Sequence, residues 1–307
     1  MFSIKELSLL LFPRPFPRHV YEGRDYPKLE IYKDNPLITD KERAIIAKCD
    51  LDRCTAYVHP NAIGTKYFEP ICEYLATVFI LNDFLDSVGY EFGIGPVVAQ
   101  IRSGVATDKF GILFLGFMKV LDSEQFKEDV CEYLMSNIIP EHETMEQYIE
   151  RRVLNTATYS FFSIAKMIDD TIDITNMQSN TVYRNINVII AITNDCISYA
   201  KEVDYPTQST VKIYMRDHSC DAATAMVEMH KWASWLFDDI KDIEIPDNVR
   251  YILDGFTIWS FETGRYLHPN SLYIELVKRV WCSYHSHPIH QVYLTQTLNT
   301  IVYFIVK

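Results

Sequence analysis

The 307-residue chain carries 29 lysines and arginines against 41 aspartates and glutamates, which gives a net charge of −12. This excess of negative charge excludes a general nucleic-acid binder, because such a protein needs a basic face. Hydrophobic residues make up 48% of the chain and aromatic residues 13%, which is enough for a large buried core.

No linker rich in Gly, Ser or Pro interrupts the middle of the sequence, and we expect one catalytic domain over residues 1–307. An irregular segment precedes about residue 36, and no role is assigned to residues 286–307. Seven cysteines without a Cys-x-x-Cys pair indicate a reduced, cytoplasmic chain. The apolar runs at 9–12 and 301–306 are too short to span a bilayer, so no stable membrane insertion is expected.

Helical periodicity dominates the chain and predicts an all-α bundle. Pro- and Gly-containing segments at 93–96, 139–140, 205–206 and 245–247 predict turns between the helices. The predicted helices are at about 67–87, 109–120, 124–137, 142–168, 180–203, 219–241, 247–267 and 271–284.

The first of these helices ends in an acidic cluster. Asp83 and Asp86 are three residues apart and share a face, with Asn82 beside them. Carboxylates that end a strongly apolar helix are costly to bury unpaired, so they favour a helix end that opens on a cation. Phe79 lies one turn before Asp83 on the same face, where an aromatic ring can stabilise a cation.

Residues 194–202 carry the strongest signal. On a helix, Asn194, Ser198 and Glu202 form one stripe, because side chains four residues apart stack on one face. An amide carbonyl, a hydroxyl and a carboxylate are hard ligands suited to Mg²⁺. Lys201 is placed to reach an anion that the metal also holds. The stripe therefore predicts a metal–diphosphate site, provided that a second acidic helix faces it.

A third segment, 254–266, supplies donors for an anion. Arg265 offers a fixed positive fork and Tyr266 a hydroxyl, and both donate well to phosphate. Trp259 lies seven residues before Tyr266, on the same face of the predicted helix, and is a second candidate to stabilise a cation.

These three segments, in this order, resemble the class I terpene synthases of the small single-domain microbial type. Residues 194–202 resemble the family's Asn-Asp-x-x-Ser-x-x-Lys-Glu metal motif, 82–86 its aspartate-rich motif and 265–266 its Arg-Tyr pair. The resemblance also implies that Arg151, about forty residues before the metal motif, senses a diphosphate, rather than its neighbour Arg152. The chain departs from the family at position 82, where the usual residue is Asp.

The resemblance implies the fold and the reaction. The fold is the class I terpenoid synthase bundle with a central cavity, which the N-terminal segment 1–35 can cap. The reaction is the Mg²⁺-dependent ionisation of a linear isoprenoid diphosphate and cyclisation of the cation to a terpene hydrocarbon or alcohol, a carbon–oxygen lyase activity. Farnesyl diphosphate is the favoured substrate, geranyl and geranylgeranyl diphosphates remain possible, and the protein is a monomer or a homodimer.

The resemblance also assigns residues to roles. Three Mg²⁺ ions, which Mn²⁺ can replace, are expected at Asn82, Asp83, Asp86, Asn194, Ser198 and Glu202. The diphosphate is expected to contact Arg151, Lys201, Arg265 and Tyr266. Phe79 and Trp259 complete the catalytic set.

Two alternatives stay open. Residues 169–173 and 238–242 also fit Asp-Asp-x-x-Asp, and chain-elongating prenyl diphosphate synthases carry two such motifs. Against that class, the sequence has no N-terminal Gly-Lys…Arg segment for a second substrate. A non-catalytic all-α relative is the other alternative, because Asn82 lacks the charge of the usual Asp.

Overall fold

The computed structural model describes residues 26–88, 90–138, 143–203, 208–263 and 265. Apart from a 3-10 turn at Pro60–Ala62, the regular elements among them are α-helices, as the sequence predicts. In chain order these are α1 (Asp40–Cys49), α2 (Leu51–Val58), α3 (Phe68–Val88), α4 (Tyr90–Ser103), α5 (Lys109–Met118), α6 (Glu124–Met135), α7 (Met145–Leu154), α8 (Thr158–Ile168), α9 (Thr181–Glu202), α10 (Thr210–His218), α11 (Ala222–Ile240) and α12 (Asp247–Glu262).

Side-chain caps set the starts of the two helices that carry most of the candidate site. At α7, the Thr144 hydroxyl accepts from the Gln147 backbone N–H, and the Gln147 side chain accepts from the Thr144 backbone N–H, which forms a capping box. At α9, the Asn180 side chain accepts from the Val182 N–H. Both helices are therefore fixed in register from their first turn.

Helix α9 lies at the centre of one half of the bundle, where it contacts α7, α10, α11 and α12. Helix α12 packs on both α9 and α2, and α3 packs on α2, α4 and α5. Fully buried aromatic rings join the other helices. The ring of Tyr74 on α3 makes edge contacts with Phe117, Phe126 and Phe161, and its hydroxyl lies 2.6 Å from Ser160 Oγ.

The predicted helix at 142–168 is two helices, α7 and α8. Ala157 between them has a φ of +60°, the left-handed region that interrupts a right-handed helix. Asn187 of α9 stabilises the break, because its Nδ2 donates to the Val153 carbonyl and its Oδ1 accepts from the Thr156 hydroxyl. A partner from a distant helix thus decides a break that local periodicity does not show.

Three other expectations for the helices are corrected. Residues 93–96, predicted as a turn, lie inside α4, where Ile94, Val97 and Val98 are buried. The free energy gained by burying them outweighs the helical hydrogen bond that is lost because Pro96 has no N–H. Helices α1, α2, α4 and α10 were not predicted. The helix predicted to reach residue 267 ends at Glu262.

Segments 1–25 and 266–307 lie outside the described residues, so the expected capping segment, the helix at 271–284 and the tail at 286–307 stay predictions. Among the helices that the structure describes, none is long and apolar enough to cross a membrane.

Helix α12 approaches α2 closely at Gly255. A Cβ there would lie 2.3 Å from the Tyr57 carbonyl oxygen, and a backbone atom cannot move aside cheaply. We therefore expect Gly255→Ala to lower the free energy of unfolding by about 1–3 kcal/mol in a urea titration.

Gly116→Ala on α5 is the matched control, because a Cβ at that position has no neighbour within 4 Å. It should raise the free energy of unfolding by about 0.5–1 kcal/mol, as Ala replaces Gly inside a helix. Equal effects of the two substitutions would contradict the close contact between α12 and α2.

Candidate active site

The oxygen stripe lies on the C-terminal half of α9. Ser198 is 1% exposed, and its buried hydroxyl has no hydrogen-bond partner among the residues that the structure describes. Asn194 and Glu202, one turn away on either side, are partly exposed. Lys201 lies on the same helix, and its side chain is outside the described residues. The stripe therefore presents an amide, an unsatisfied hydroxyl and a carboxylate in the order that the sequence predicts.

Arg152 contacts this stripe. Its Nη2 donates to Asn194 Oδ1 at 2.8 Å, and its Nε donates to Asp195 Oδ1 at 3.1 Å. Its Nη1 donates to the backbone and side-chain oxygens of Asn155, at 3.2 and 2.6 Å. Burial opposes the positive charge of Arg152, but the carboxylates of Asp195 and Glu202 outweigh that cost and raise its pKa. The guanidinium is a fixed positive charge beside the stripe.

Arg151, which the sequence favours, points to a different partner. Its Nε and Nη2 donate to the two carboxylate oxygens of Glu143 at 2.7 and 2.8 Å, and its Nη1 donates to the Ser136 carbonyl. Successive residues on a helix point about 100° apart, so only one of the two arginines can face α9. The structure brings Arg152, and not Arg151, to the predicted metal motif.

The acidic end of α3 is also held by partners. Asn82 Nδ2 donates to the Tyr133 hydroxyl at 3.1 Å, and that hydroxyl lies 3.2 Å from Asn82 Oδ1, to which it can donate. Asp83 Oδ1 accepts from Arg265 Nη2 at 3.2 Å. Asp86 lies on α3, and its side chain is outside the described residues.

Arg265 joins the end of α12 to the acidic end of α3. Its guanidinium carbon lies 4.4 Å from the centre of the Phe79 ring, within the range of a cation–π contact. Its Nη1 lies 3.9 Å from Cys49 Sγ. Tyr266, the other member of the predicted pair, is outside the described residues. The structure thus brings together Arg265, Asp83 and Phe79.

Trp259 is completely buried. Its Nε1 donates to the Cys49 carbonyl at 2.7 Å, and its ring centre lies 5.8 Å from that of Phe79 and 5.4 Å from that of Phe256. These contacts anchor α12 against the end of α1. The Trp259 ring packs against the Phe79 ring, and the Phe79 ring contacts the guanidinium of Arg265.

Tyr133 on α6 links the two sides of the site. Burial raises the pKa of its hydroxyl, while the positive charges of Arg152 and Arg265 act in the opposite direction. Both guanidinium groups therefore lie within electrostatic range of one hydroxyl, which itself contacts Asn82. Arg152 in turn bonds to Asn194, and Arg265 bonds to Asp83.

The two further Asp-Asp-x-x-Asp segments have other contacts. Asp169 accepts from the backbone N–H and the hydroxyl of Thr171, and these bonds lower its pKa. It also accepts from Asn248. Asp238 pairs with Lys241 at the exposed end of α11. These carboxylates stabilise a turn and a surface ion pair.

Asp195 and Tyr133 were given no role from the sequence, and Arg152 was considered there but passed over for Arg151. Asp195 is the second residue of the metal motif, so its position was visible but its role was not. Arg152 differs from Arg151 only in the helix face that it occupies. Tyr133 carries no motif signal. Among the described residues, no three His, Cys, Asp or Glu side chains are grouped to hold a metal ion, so a metal there needs amide and hydroxyl ligands as well.

Comparison with known proteins covers both sequence and fold. Residues 128–238 match terpene synthase family 2, C-terminal metal binding. This stretch contains the oxygen stripe, Arg152 and Tyr133, but not Asp83 or Arg265. A curated relative, terpene synthase 2 of Dictyostelium purpureum, is 25% identical over 170 residues, which cover 47% of this chain and 51% of the relative. The match therefore spans about half the length of that relative.

Solved structures share the fold at low identity. Linalool/nerolidol synthase from Streptomyces clavuligerus, in complex with 2-fluorogeranyl diphosphate, aligns with a TM-score of 0.61 and 10% identity over 73% of this chain and 92% of that one. Aristolochene synthase from Penicillium roqueforti aligns with a TM-score of 0.56 and 14% identity over 73% and 88%. On these matches the chain is similar to the terpene synthases: residues 128–238 match terpene synthase family 2, C-terminal metal binding, and the helices have the class I terpene synthase fold.

Proposed function

We propose that this chain is a class I terpene synthase, a single catalytic domain that acts on a linear isoprenoid diphosphate in the cytoplasm as a monomer or homodimer. The observation that carries the proposal is the Ser198 hydroxyl, buried without a partner between Asn194 and Glu202 and one turn from the Arg152–Asn194 contact. A buried hydroxyl without a hydrogen bond is costly, so its retention there supports a ligand that binds it.

The donor set fits Mg²⁺. An amide oxygen, a hydroxyl and a carboxylate on one helix face are hard oxygen ligands, and Asp83 with Asp86 would supply the opposing carboxylates. We propose Asn194, Ser198 and Glu202 as one ligand set and the acidic end of α3 as the other, with three ions in total and Mn²⁺ able to substitute. When bound, the metal neutralises charge on the diphosphate as it leaves.

Arg152 and Arg265 would bind the diphosphate, with Lys201 and Tyr266 as further donors by resemblance. One edge of the Arg152 guanidinium is held by the Asp195 carboxylate, whereas its other N–H groups bond to neutral amide oxygens. A phosphate oxygen forms stronger, charge-assisted hydrogen bonds than an amide oxygen, so the anion can take over those donors. We therefore assign to Arg152 the sensing role that the sequence favours for Arg151.

The aromatic contacts support ionisation without quenching by water. The Phe79 ring contacts both the Arg265 guanidinium and the Trp259 ring, so apolar side chains adjoin the proposed anion site. Separation of the leaving diphosphate from an allylic cation is favoured where positive side chains face the anion and π-faces face the cation. Exclusion of water lets the cation close a ring before it loses a proton or captures water.

The substrate is a prenyl diphosphate, and we propose farnesyl diphosphate. One structural relative was solved with 2-fluorogeranyl diphosphate, which supports this substrate class without deciding the chain length. Purified protein with Mg²⁺ and geranyl, farnesyl or geranylgeranyl diphosphate should release diphosphate and a terpene hydrocarbon or alcohol, identified by gas chromatography–mass spectrometry. A longer prenyl diphosphate formed only with added isopentenyl diphosphate would indicate the chain-elongating class instead.

Glu202→Gln removes a ligand charge while keeping the side chain's shape. We expect turnover to fall by more than about tenfold, the lower limit for loss of a residue that supports a metal site. Glu150→Gln is the control, because Glu150 pairs with Arg184 away from the stripe, and it should retain activity. Full activity of Glu202→Gln would remove Glu202 from the ligand set.

Ser198→Ala separates a ligand role from a structural one. Because the hydroxyl has no partner, its loss should leave the free energy of unfolding unchanged or higher in metal-free buffer, while Mg²⁺-dependent diphosphate binding weakens. Ser160→Ala, which removes a buried hydroxyl bonded to Tyr74, should instead cost about 1–2 kcal/mol. A Ser198→Ala protein that is destabilised to the same extent, with unaltered binding, would argue for a structural hydroxyl.

The two neighbouring arginines predict a contrast. Arg152→Gln should raise the Kd of Mg²⁺–diphosphate, measured by calorimetry, by roughly 10- to 150-fold, which corresponds to the about 1.5–3 kcal/mol of a hydrogen bond to a charged group. Arg151→Gln should mainly lower thermal stability, because it leaves the buried Glu143 without its ion pair. The reverse pattern would restore Arg151 as the sensing residue.

A further inference from the structure

The second residue of the metal motif, Asp195, has no part in the ligand stripe, yet it is 2% exposed and makes several strong contacts. Its Oδ1 accepts from Arg152 Nε at 3.1 Å and lies 3.0 Å from Arg152 Nη2. Its Oδ2 accepts from the Tyr148 hydroxyl and from the Thr210 backbone N–H, both at 2.8 Å. This carboxylate on α9 therefore contacts α7 and the first residue of α10.

The two oxygens of Asp195 have different partners. Oδ1 faces the guanidinium, whereas Oδ2 is bonded to the Tyr148 hydroxyl of α7 and the Thr210 backbone amide of α10. The Oδ2 bonds fix the plane of the carboxylate, and the fixed Oδ1 then limits where the Nε edge of Arg152 can lie. The remaining N–H groups of the guanidinium, on Nη2 and Nη1, are directed to Asn194 and Asn155 as a result.

Burial makes this restraint strong. The side chains of Arg152 and Asp195 are 14% and 3% exposed, so their attraction is little screened by solvent. Asp195 also raises the pKa of Arg152 against the effect of burial. Arg152 without Asp195 would remain charged but would lose its fixed orientation.

We propose that Asp195 is a positioning residue that orients Arg152 toward the diphosphate, through Oδ1, while Oδ2 holds it to the fold. This inference rests on the proposed function. Asp195 itself is not expected to contact metal or substrate, because both of its oxygens are bonded to protein groups. It therefore acts on anion binding only through Arg152.

The test is a double-mutant cycle on Asp195 and Arg152 with the full chain, in which calorimetry measures the Kd of inorganic diphosphate at fixed Mg²⁺. Asp195→Asn keeps the volume and removes the charge, and it should raise the Kd about tenfold or more, as supporting residues of metal sites do. The double variant Asp195→Asn, Arg152→Gln should match Arg152→Gln within about twofold, because the two residues act as one unit.

One graded variant and one control separate positioning from stability. Tyr148→Phe removes one of the two Oδ2 partners that fix the carboxylate, so it should lower thermal stability and raise the Kd by less than Asp195→Asn does. Asp129→Asn makes the same substitution at another carboxylate that is 2% exposed, one bonded to Ser163 and Gln125, and it should also lose stability without a change in Kd. Asp195→Glu, which keeps the charge, should bind diphosphate more tightly than Asp195→Asn.

The inference would be overturned if Asp195→Asn kept the Kd of wild type. It would also be overturned if the fold-changes in Kd caused by Asp195→Asn and Arg152→Gln multiplied in the double variant. If Asp195→Asn does not fold, Asp195→Glu takes its place in the cycle, and its double variant with Arg152→Gln should match Arg152→Gln within about twofold. A wild-type protein that binds no diphosphate with Mg²⁺ would overturn the proposed function itself, whereas the other two outcomes leave that function standing.

Discussion

The buried ion pair between Arg152 and Asp195 is the interaction on which the candidate site depends. Either charge alone would be expensive at this depth, because a buried charge without a partner destabilises a fold by several kcal/mol, of order 3–5. Paired, and with the second Asp195 oxygen bonded to Tyr148 and the Thr210 amide, the charges join α7, α9 and α10. The end of α9 that carries the oxygen stripe is thereby fixed before any ligand binds.

The two sides of the site differ in how their polar atoms are satisfied. On α3, Asn82 is bonded to Tyr133 and Asp83 to Arg265, so protein groups already balance those side chains. On α9, the Ser198 hydroxyl is left without a partner. Arg265 is held by Asp83, which is also a proposed metal ligand. If a metal binds Asp83 and an anion binds Arg265, the two ligands replace this ion pair together, which links the two binding events. The amide nitrogen and oxygen of Asn82 both contact the Tyr133 hydroxyl, so this side chain helps to fix the shape of the candidate site.

Much of the fold follows from helical periodicity and caps, but two features do not. The break between α7 and α8 depends on Asn187 from α9, since its amide bonds to the carbonyl and hydroxyl of the interrupted turn. Pro96 lies inside α4 because the apolar residues around it are buried against other helices. In both cases a partner distant in sequence outweighs a local preference, and a sequence pattern cannot show that partner.

The sequence by itself determined the all-helical architecture and the stripe of Asn194, Ser198 and Glu202, because spacing along one helix alone sets which side chains share a face. Only the tertiary structure decided which arginine faces that stripe. Arg151 and Arg152 are adjacent and chemically identical, and the 100° turn between them directs one to Glu143 and the other to Asp195. The packing of α7 against α9 makes that choice, because it sets which face of α7 is turned toward the metal motif.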